Sequence, residues 1–166
     1  MPSRSEVLTP SLLRRWELPS GAGSKNDRGR ILIIGGARRS PGAAMLAGLA
    51  ALRVGAGRLT IAVAESVAAQ VAVAVPESGV IPLEQTPDGA VRGASNDQLR
   101  KELERSDAVV IGPGLDDADE ARRLLSALAL DVAAGAPVLV DAYALGALPD
   151  VAADTAGWRG RLVLTP

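Results

Sequence analysis

The sequence predicts a three-layer α/β domain, with a mainly parallel sheet and helices on both of its faces. Three observations lead there. Short runs rich in Ile, Val and Leu alternate along the chain with Ala/Leu segments of helical character. The runs are apolar throughout, as strands covered on each side must be. Hydrophobic residues make up 48% of the chain but aromatic ones only 2%. The core must therefore be built from Ala, Val, Leu and Ile in closely packed helix-on-sheet layers.

Residues 5–18 carry a short amphipathic pattern, with Thr9-Pro10 as the helix start and Leu12, Leu13 and Trp16 as its apolar face. Residues 19–29, PSGAGSKNDRG, are turn formers with one lysine, Lys25. The first strand, 30–35, ends at Gly35-Gly36. Ser40 suits an N-cap, and Pro41 stands at the first helical position, where its missing N–H costs nothing. Helix 42–54 is apolar nearly all round, with Arg53 its only charge, which predicts a largely buried helix. Gly48 is expected to let another backbone approach, and Gly55 to close the helix in a left-handed conformation. A second strand at 59–63 completes a β-α-β unit. A turn between a strand's carboxyl end and a helix's amino end is a natural anion site, because free N–H groups and the helix dipole point there.

Glu65-Ser66 is expected to cap a short helix running to about Val73 and ended by Pro76-Glu77. Residues 80–83 read as a short strand, and QTPDGAVRGASND as turn and loop. A charged helix around 98–104 leads into a strand at 108–111, which ends in a second glycine turn, Gly112-Pro113-Gly114-Leu115. Asp117 and Glu120 have capping-box spacing, with Asp117 in the cap position. Helix 118–134 places Ala121, Leu124, Leu125, Leu128 and Val132 on one face. Residues 137–140 form another buried strand, ending at Asp141; 142–148 is a short helix closed by Pro149. A final apolar strand, 162–164, runs into Thr165-Pro166. A doubly wound domain does not usually stop on a central-looking strand, so the polypeptide is expected to be incomplete there.

Composition excludes several kinds of chemistry. The net charge of −1, from 18 basic and 19 acidic residues, gives no electrostatic case for nucleic acid. Nothing reaches the length of a membrane span, and the N-terminus lacks the apolar core of a signal peptide. With no cysteine to argue for an oxidising compartment, cytoplasm is the expected location. Without Cys or His, no zinc site of thiolates or imidazoles and no Ser-His or Cys-His pair can form. Acid–base work falls to Asp, Glu, Lys or the single tyrosine, Tyr143. A metal would use oxygen ligands and favour magnesium.

Ligands of such sheets lie beyond the carboxyl ends of the strands. That edge is predicted to carry residues 35–40, Glu65, residues 112–117, Asp141 and Thr165-Pro166. Gly35-Gly36 either makes a tight turn or contacts phosphate. Two glycines flanking Pro113 imply close backbone approach and point to a ligand. Asp141 reads as the N-cap of the following helix or as a catalytic or metal group. Arg38 and Arg39 read as solvated turn charges. Glu65 stands where a Rossmann fold keeps its ribose acceptor, but GGARRSPG does not fit G-x-G-x-x-G, and no G-x-x-x-x-G-K-[ST] occurs.

The combination is more specific than its parts. SKNDRG precedes RILIIGGARRSPGAAMLAGLAALRVGAGRLTIAV; VPE follows at 75–77, VVIGPGL at 109–115, VLVDAYAL at 138–145 and LVLTP at 162–166. In this order and spacing the chain, from about Leu8 onward, resembles the ADP- or ATP-dependent NAD(P)H-hydrate dehydratases of the ribokinase-like superfamily. The resemblance implies a lyase that repairs hydrated NADH or NADPH. A nucleotide, ADP or ATP with Mg2+, phosphorylates the ring hydroxyl, and loss of phosphate restores the double bond. It implies a substrate site at Gly42, Ala43 and Gly114, with Asp141 nearby and Lys25 in the loop that precedes the first strand. It also implies homo-oligomers when the protein is complete.

The departures are informative. The family turn usually reads GPGLG; here Asp116 replaces the last glycine and brings a charge toward the substrate. DADAL is DAYAL here, with Tyr143 in place of an acid. The family continues TPH after the last strand and then supplies a nucleotide-binding half, with a GTGD motif whose aspartate is the base. Residues 1–166 thus correspond to the N-terminal part of one ribokinase-like domain, and no catalytic residue is assigned within them. Two alternatives stay open: a ribokinase-like kinase acting on a vitamin alcohol, and a noncatalytic remnant that binds a dinucleotide.

Overall fold

The computed structural model describes residues 7–15, 23–25 and 27–165. Strands β1 (Arg30–Ile34), β2 (Arg58–Ala64), β3 (Ser78–Leu83), β4 (Ala108–Ile111), β5 (Val138–Asp141) and β6 (Leu162–Thr165) form one six-stranded sheet in the order β3-β2-β1-β4-β5-β6. All five pairings are parallel. The helices are α1 (Pro10–Arg15), α2 (Pro41–Arg53), α3 (Glu65–Ala74), α4 (Asp97–Leu103), α5 (Ala118–Leu128) and α6 (Tyr143–Ala147). Two short 3₁₀ turns, Leu148–Val151 and Asp154–Trp158, lead from α6 toward β6.

Side-chain alternation on β1 shows why the sheet needs cover on both faces. Leu32 and Ile34 enter one apolar cluster with Leu99, Leu103, Leu124, Leu125, Leu128 and Trp158, from α4, α5 and the second 3₁₀ turn. Ile33 enters the other, with Ala44 of α2, Val71 of α3, and Leu59, Ile61 and Val63 of β2. All three β1 residues are wholly buried. A parallel strand between two helical layers has no solvent face, and its sequence is accordingly apolar at every position after Arg30. Among the described residues, no helix is long and apolar enough to cross a membrane.

Several local expectations need correction. The Thr9 hydroxyl accepts the Leu12 N–H at 3.2 Å, as a helix start should. Yet α1 is only six residues long and buries none of them; Leu13 is half exposed, and Trp16 lies outside the described residues. Helix α2 is not largely buried. Only Ala44, Gly48 and Ala51 are fully buried, Met45, Ala47 and Leu52 are partly so, and Leu46 is 70% exposed, because the helix meets the sheet along one stripe. Gly48 makes room for the Leu59 and Ile61 side chains rather than for a backbone. Gly55 does adopt a positive φ, +108°.

Helix α3 is capped at Ala64 with no side-chain bond, and the Ser66 hydroxyl turns instead to Gln85 Oε1 at 2.6 Å. The third strand begins at Ser78, two residues before the apolar run that announces it. Asn96, unremarked in the sequence, caps α4 through the Leu99 N–H at 2.8 Å. Asp117 caps α5 as expected, accepting the Glu120 N–H at 2.9 Å. The predicted apolar face of α5 is buried, but the helix stops at Leu128; Val132 reaches the core from the turn beyond it. Finally, β6 lies at the sheet's edge rather than at its centre.

Candidate functional site: two interlocked glycine turns

From β1 the chain crosses to β2 and β3 on one side; from β4 it continues to β5 and β6 on the other. The carboxyl ends of β1 and β4 therefore flank the point where strand order reverses, the place where open α/β sheets bind ligands. Both glycine turns leave the sheet there. Register holds them side by side, with Ile34 beside Ile111.

The two turns bond to each other. The Gly112 N–H donates to the Ile34 carbonyl at 3.0 Å, the Gly36 N–H to Pro113 at 2.8 Å, and the Ala37 N–H to Gly114 at 2.8 Å. A side chain on Gly35 would collide with the Pro113 carbonyl. One on Gly114, which has φ +77°, would collide with the Ser40 carbonyl and crowd the Ala43 methyl. Ser40 adds a bond that the sequence did not disclose. Its hydroxyl donates to the Gly114 carbonyl at 2.8 Å, and no side-chain cap forms on α2.

This pairing alters the anion reading of 35–40. The Gly36 and Ala37 N–H groups are engaged by the second turn, Arg38 N–H by the Gly89 carbonyl at 2.9 Å and Ser40 N–H by Ala37 at 2.9 Å. The donors left at this corner include those of the first turn of α2, at Gly42 and Ala43, which have no acceptor within a helix. Arg38 is more than a solvated charge. Its guanidinium donates to the Pro87 and Asp88 carbonyls at 3.4 and 2.8 Å and holds the 86–89 turn against the site.

The predicted residues divide into three groups. Ala43 lies against Gly114; Gly42, beside it, is exposed with open space above its Cα; Asp116, two residues past Gly114, is exposed. Asp141 stands at the end of β5, where its backbone carbonyl abuts Gly112. It does not cap α6, whose N-cap is Ala142 at φ +48°; its carboxylate accepts the Thr165 hydroxyl at 2.5 Å and ties β5 to β6. Lys25 is elsewhere. It lines a pocket with Arg30, Arg58 and Gly79 at the amino ends of the strands, the opposite edge of the sheet. Among the described residues, no group of three or more acidic side chains is placed to hold a metal ion.

Residues 31–166 match a family model described as NAD(P)H-hydrate dehydratase. The chain belongs to that family. Among dehydratases, it is 48% identical over 113 residues to the ADP-dependent (S)-NAD(P)H-hydrate dehydratase of Xanthomonas campestris pv. campestris, covering 68% of this chain and 38% of that protein. It is 38% identical over 154 residues to the bifunctional NAD(P)H-hydrate repair enzyme Nnr of Moorella thermoacetica, covering 92% and 29%. A solved Bacillus subtilis ADP/ATP-dependent NAD(P)H-hydrate dehydratase, co-crystallised with ATP/Mg2+, superposes with a TM-score of 0.58 at 30% identity, covering 76% of this chain and 41% of that one. A ribokinase-like protein of Enterococcus faecalis gives 0.71 at 21% identity, over 87% and 47%, which establishes the shared fold. The chain spans less than half the length of each of these proteins.

Proposed function

We propose that this chain supplies the hydrate-binding edge of a nucleotide-dependent NAD(P)H-hydrate dehydratase, and that turnover requires residues beyond Pro166. The observation that carries the reading is the interlock of the two glycine turns at the strand-order switch. It leaves Gly114, Gly42 and Ala43 without side-chain bulk where a dinucleotide would have to lie close to backbone. The free N–H groups of Gly42 and Ala43 suit an anionic or strongly polar substrate group, aided by the positive end of the α2 dipole. Asp116 would set a negative charge beside the substrate, and Asp141 would line the adjoining stretch of the same edge.

In this reading ADP or ATP supplies a phosphoryl group to the ring hydroxyl, so that phosphate leaves in place of hydroxide. Among the described residues no group of three or more acidic side chains gathers to hold the nucleotide's Mg2+. No step is therefore assigned to this chain's carboxylates through the metal. Two acids near the edge have other work: Asp117 caps α5, and Asp141 bonds Thr165. The chain has no histidine, and in this reading the general base is the aspartate that the family resemblance puts beyond Pro166.

The test is the nucleotide-dependent return of NAD(P)H absorbance from its hydrate. The 166-residue chain with ADP or ATP is expected to give none. A chain extended with the C-terminal portion of a longer relative is expected to turn over. Turnover by the 166 residues alone would overturn this division of labour, and a folded extended chain that binds no hydrate would overturn the reading itself.

A further inference from the structure

The carboxyl edge of the sheet continues past the glycine turns to β5. Asp141 ends that strand with its carbonyl against Gly112. The next residue, Ala142, is the only non-glycine residue with a positive φ among the described residues, at +48°. A backbone so placed costs energy and persists only where its surroundings hold it. It turns the chain directly into α6, whose first residue, Tyr143, is left 48% exposed.

Helices α5 and α6 pack against each other, and their junction carries a pocket of about 450 Å³. That volume is ordinary for a small-molecule site. Its walls are small: Ala118 at the start of α5, Ala142, and Gly146 and Ala147 of α6. A side chain at Gly146 would meet nothing within 4 Å. Tyr143 supplies the one aromatic ring of the lining.

Charge at the pocket is balanced. Arg122 pairs with Asp119 at 2.7 Å and with Asp150 at 3.3 Å. A guanidinium held by two carboxylates has no charge to spare for a phosphate, and the lining holds no second cation. The pocket therefore suits a flat, uncharged group better than an anion. Small walls admit a ring, and a half-exposed tyrosine offers a face on which it can stack.

We propose that this pocket holds an adenine ring stacked on Tyr143. Bases stack on aromatic side chains through their π-faces and need no charged partner to do so. The assignment rests on the hydrate-binding reading of the glycine turns, because Asp116 and Asp117 lead straight from the Gly114 turn to Ala118 on the pocket wall. Both reactants of that reading carry adenine, the dinucleotide hydrate and the ADP or ATP, and the test separates them.

The test uses the chain's single tyrosine, which gives one tyrosine ring signal in the 166-residue chain labelled with 13C-tyrosine. Adenosine is expected to move that signal upfield and saturably, and ribose to leave it unmoved. Tyr143→Ala, followed through the Gly146 and Ala147 amides, is expected to weaken adenosine binding about tenfold, the loss of one stacked base, and Tyr143→Phe to retain it. Gly146→Leu should fill the pocket and weaken binding by a similar factor without a clash. A circular-dichroism spectrum unchanged from the parent keeps these variants interpretable. NADPH hydrate that moves the Tyr143 ring together with the Gly42 and Gly114 amides assigns the pocket to the substrate's adenine. ADP that moves the ring, with the hydrate moving only the turns, assigns it to the nucleotide. Adenosine shifts that never saturate, or binding undiminished by Tyr143→Ala and Gly146→Leu in folded protein, would overturn the proposal and leave hydrate binding at the turns standing. Turns that stay silent with NADPH hydrate would instead break the reading beneath the proposal, and the proposal with it.

Discussion

Strands β1 and β6 are written in nearly the same alphabet, RILII and LVLT, yet their surroundings differ completely. Leu32, Ile33 and Ile34 are wholly buried between two helical layers, and both edges of β1 are paired. In β6, Val163 and Leu164 are 49% and 51% exposed, and among the described residues only the β5 side is paired. Apolar composition therefore says that a residue can be buried, not that it is. What distinguishes the two strands is the connection that follows. After β1 a glycine turn interlocks with its neighbour and feeds a helix back over the sheet, whereas β6 has no described element beyond it.

The sharpest way to break this comparison is to place equal insults at the two ends. Gly114→Val forces a β-branched residue to φ +77° and against the Ser40 carbonyl, so strain and overpacking add. Expected destabilisation is about 3–4 kcal/mol by urea unfolding, against roughly 0.5 kcal/mol or less for Leu164→Ala on the half-bare strand. Equal losses at the two sites would erase the distinction.

A second experiment concerns association. Half-exposed Val163 and Leu164 on an unpaired edge form a template for further strand pairing. The 166-residue chain is expected to sediment as self-associated species and to shift toward monomer in a Val163→Thr, Leu164→Lys variant. A sharp monomer boundary for the parent chain would contradict it.

Smaller effects sharpen the account of the switch. Ser40→Ala removes the hydroxyl that the Gly114 carbonyl accepts, at a cost of about 1 kcal/mol. Asp117→Ala removes a helix cap, at a similar cost of about 1 kcal/mol. The two should differ in reach: amide shifts from Ser40→Ala should extend across both glycine turns, and those from Asp117→Ala should stay within α5 and its start. The smallest effect lies outside both regions. The Ser24 N–H and hydroxyl hold the Asp27 carboxyl below its ordinary value, and the group is fully exposed. A depressed carboxyl contributes above the unfolded-state value and loses that contribution as pH falls through the folded one. The Ser24 amide should therefore keep its hydrogen-bonded shift through the ordinary carboxylate range and lose it only as pH falls below that range, while unfolding midpoints barely move.

The sheet's centre was legible because the signals there are local. Apolar runs mark β1 and β4, paired glycines mark their ends, and the spacing of Ala121, Leu124, Leu125 and Leu128 marks the buried face of α5. What the sequence hid depends on contacts between distant segments. Ser40 looks like an N-cap because its neighbours do, but its bond is to a residue 74 positions away. Helix α2 reads as buried because Ala and Leu surround it, and no local pattern says that only one layer will reach it. The resemblance sets Lys25 with the substrate residues, whereas the fold carries it to the other edge of the sheet. Asp141 gave no sign that Thr165 would bond its carboxylate, since that pairing exists only once β5 and β6 lie side by side.

The central claim is that the interlocked turns form the hydrate-binding surface, and amide-shift mapping with NADPH hydrate tests it most directly. The account predicts saturable shifts at Gly42, Ala43, Gly114 and Asp116, with the signals of Gly57 and Gly79 at the opposite edge unmoved. Saturable shifts confined to that opposite edge, with the glycine turns silent, would contradict it.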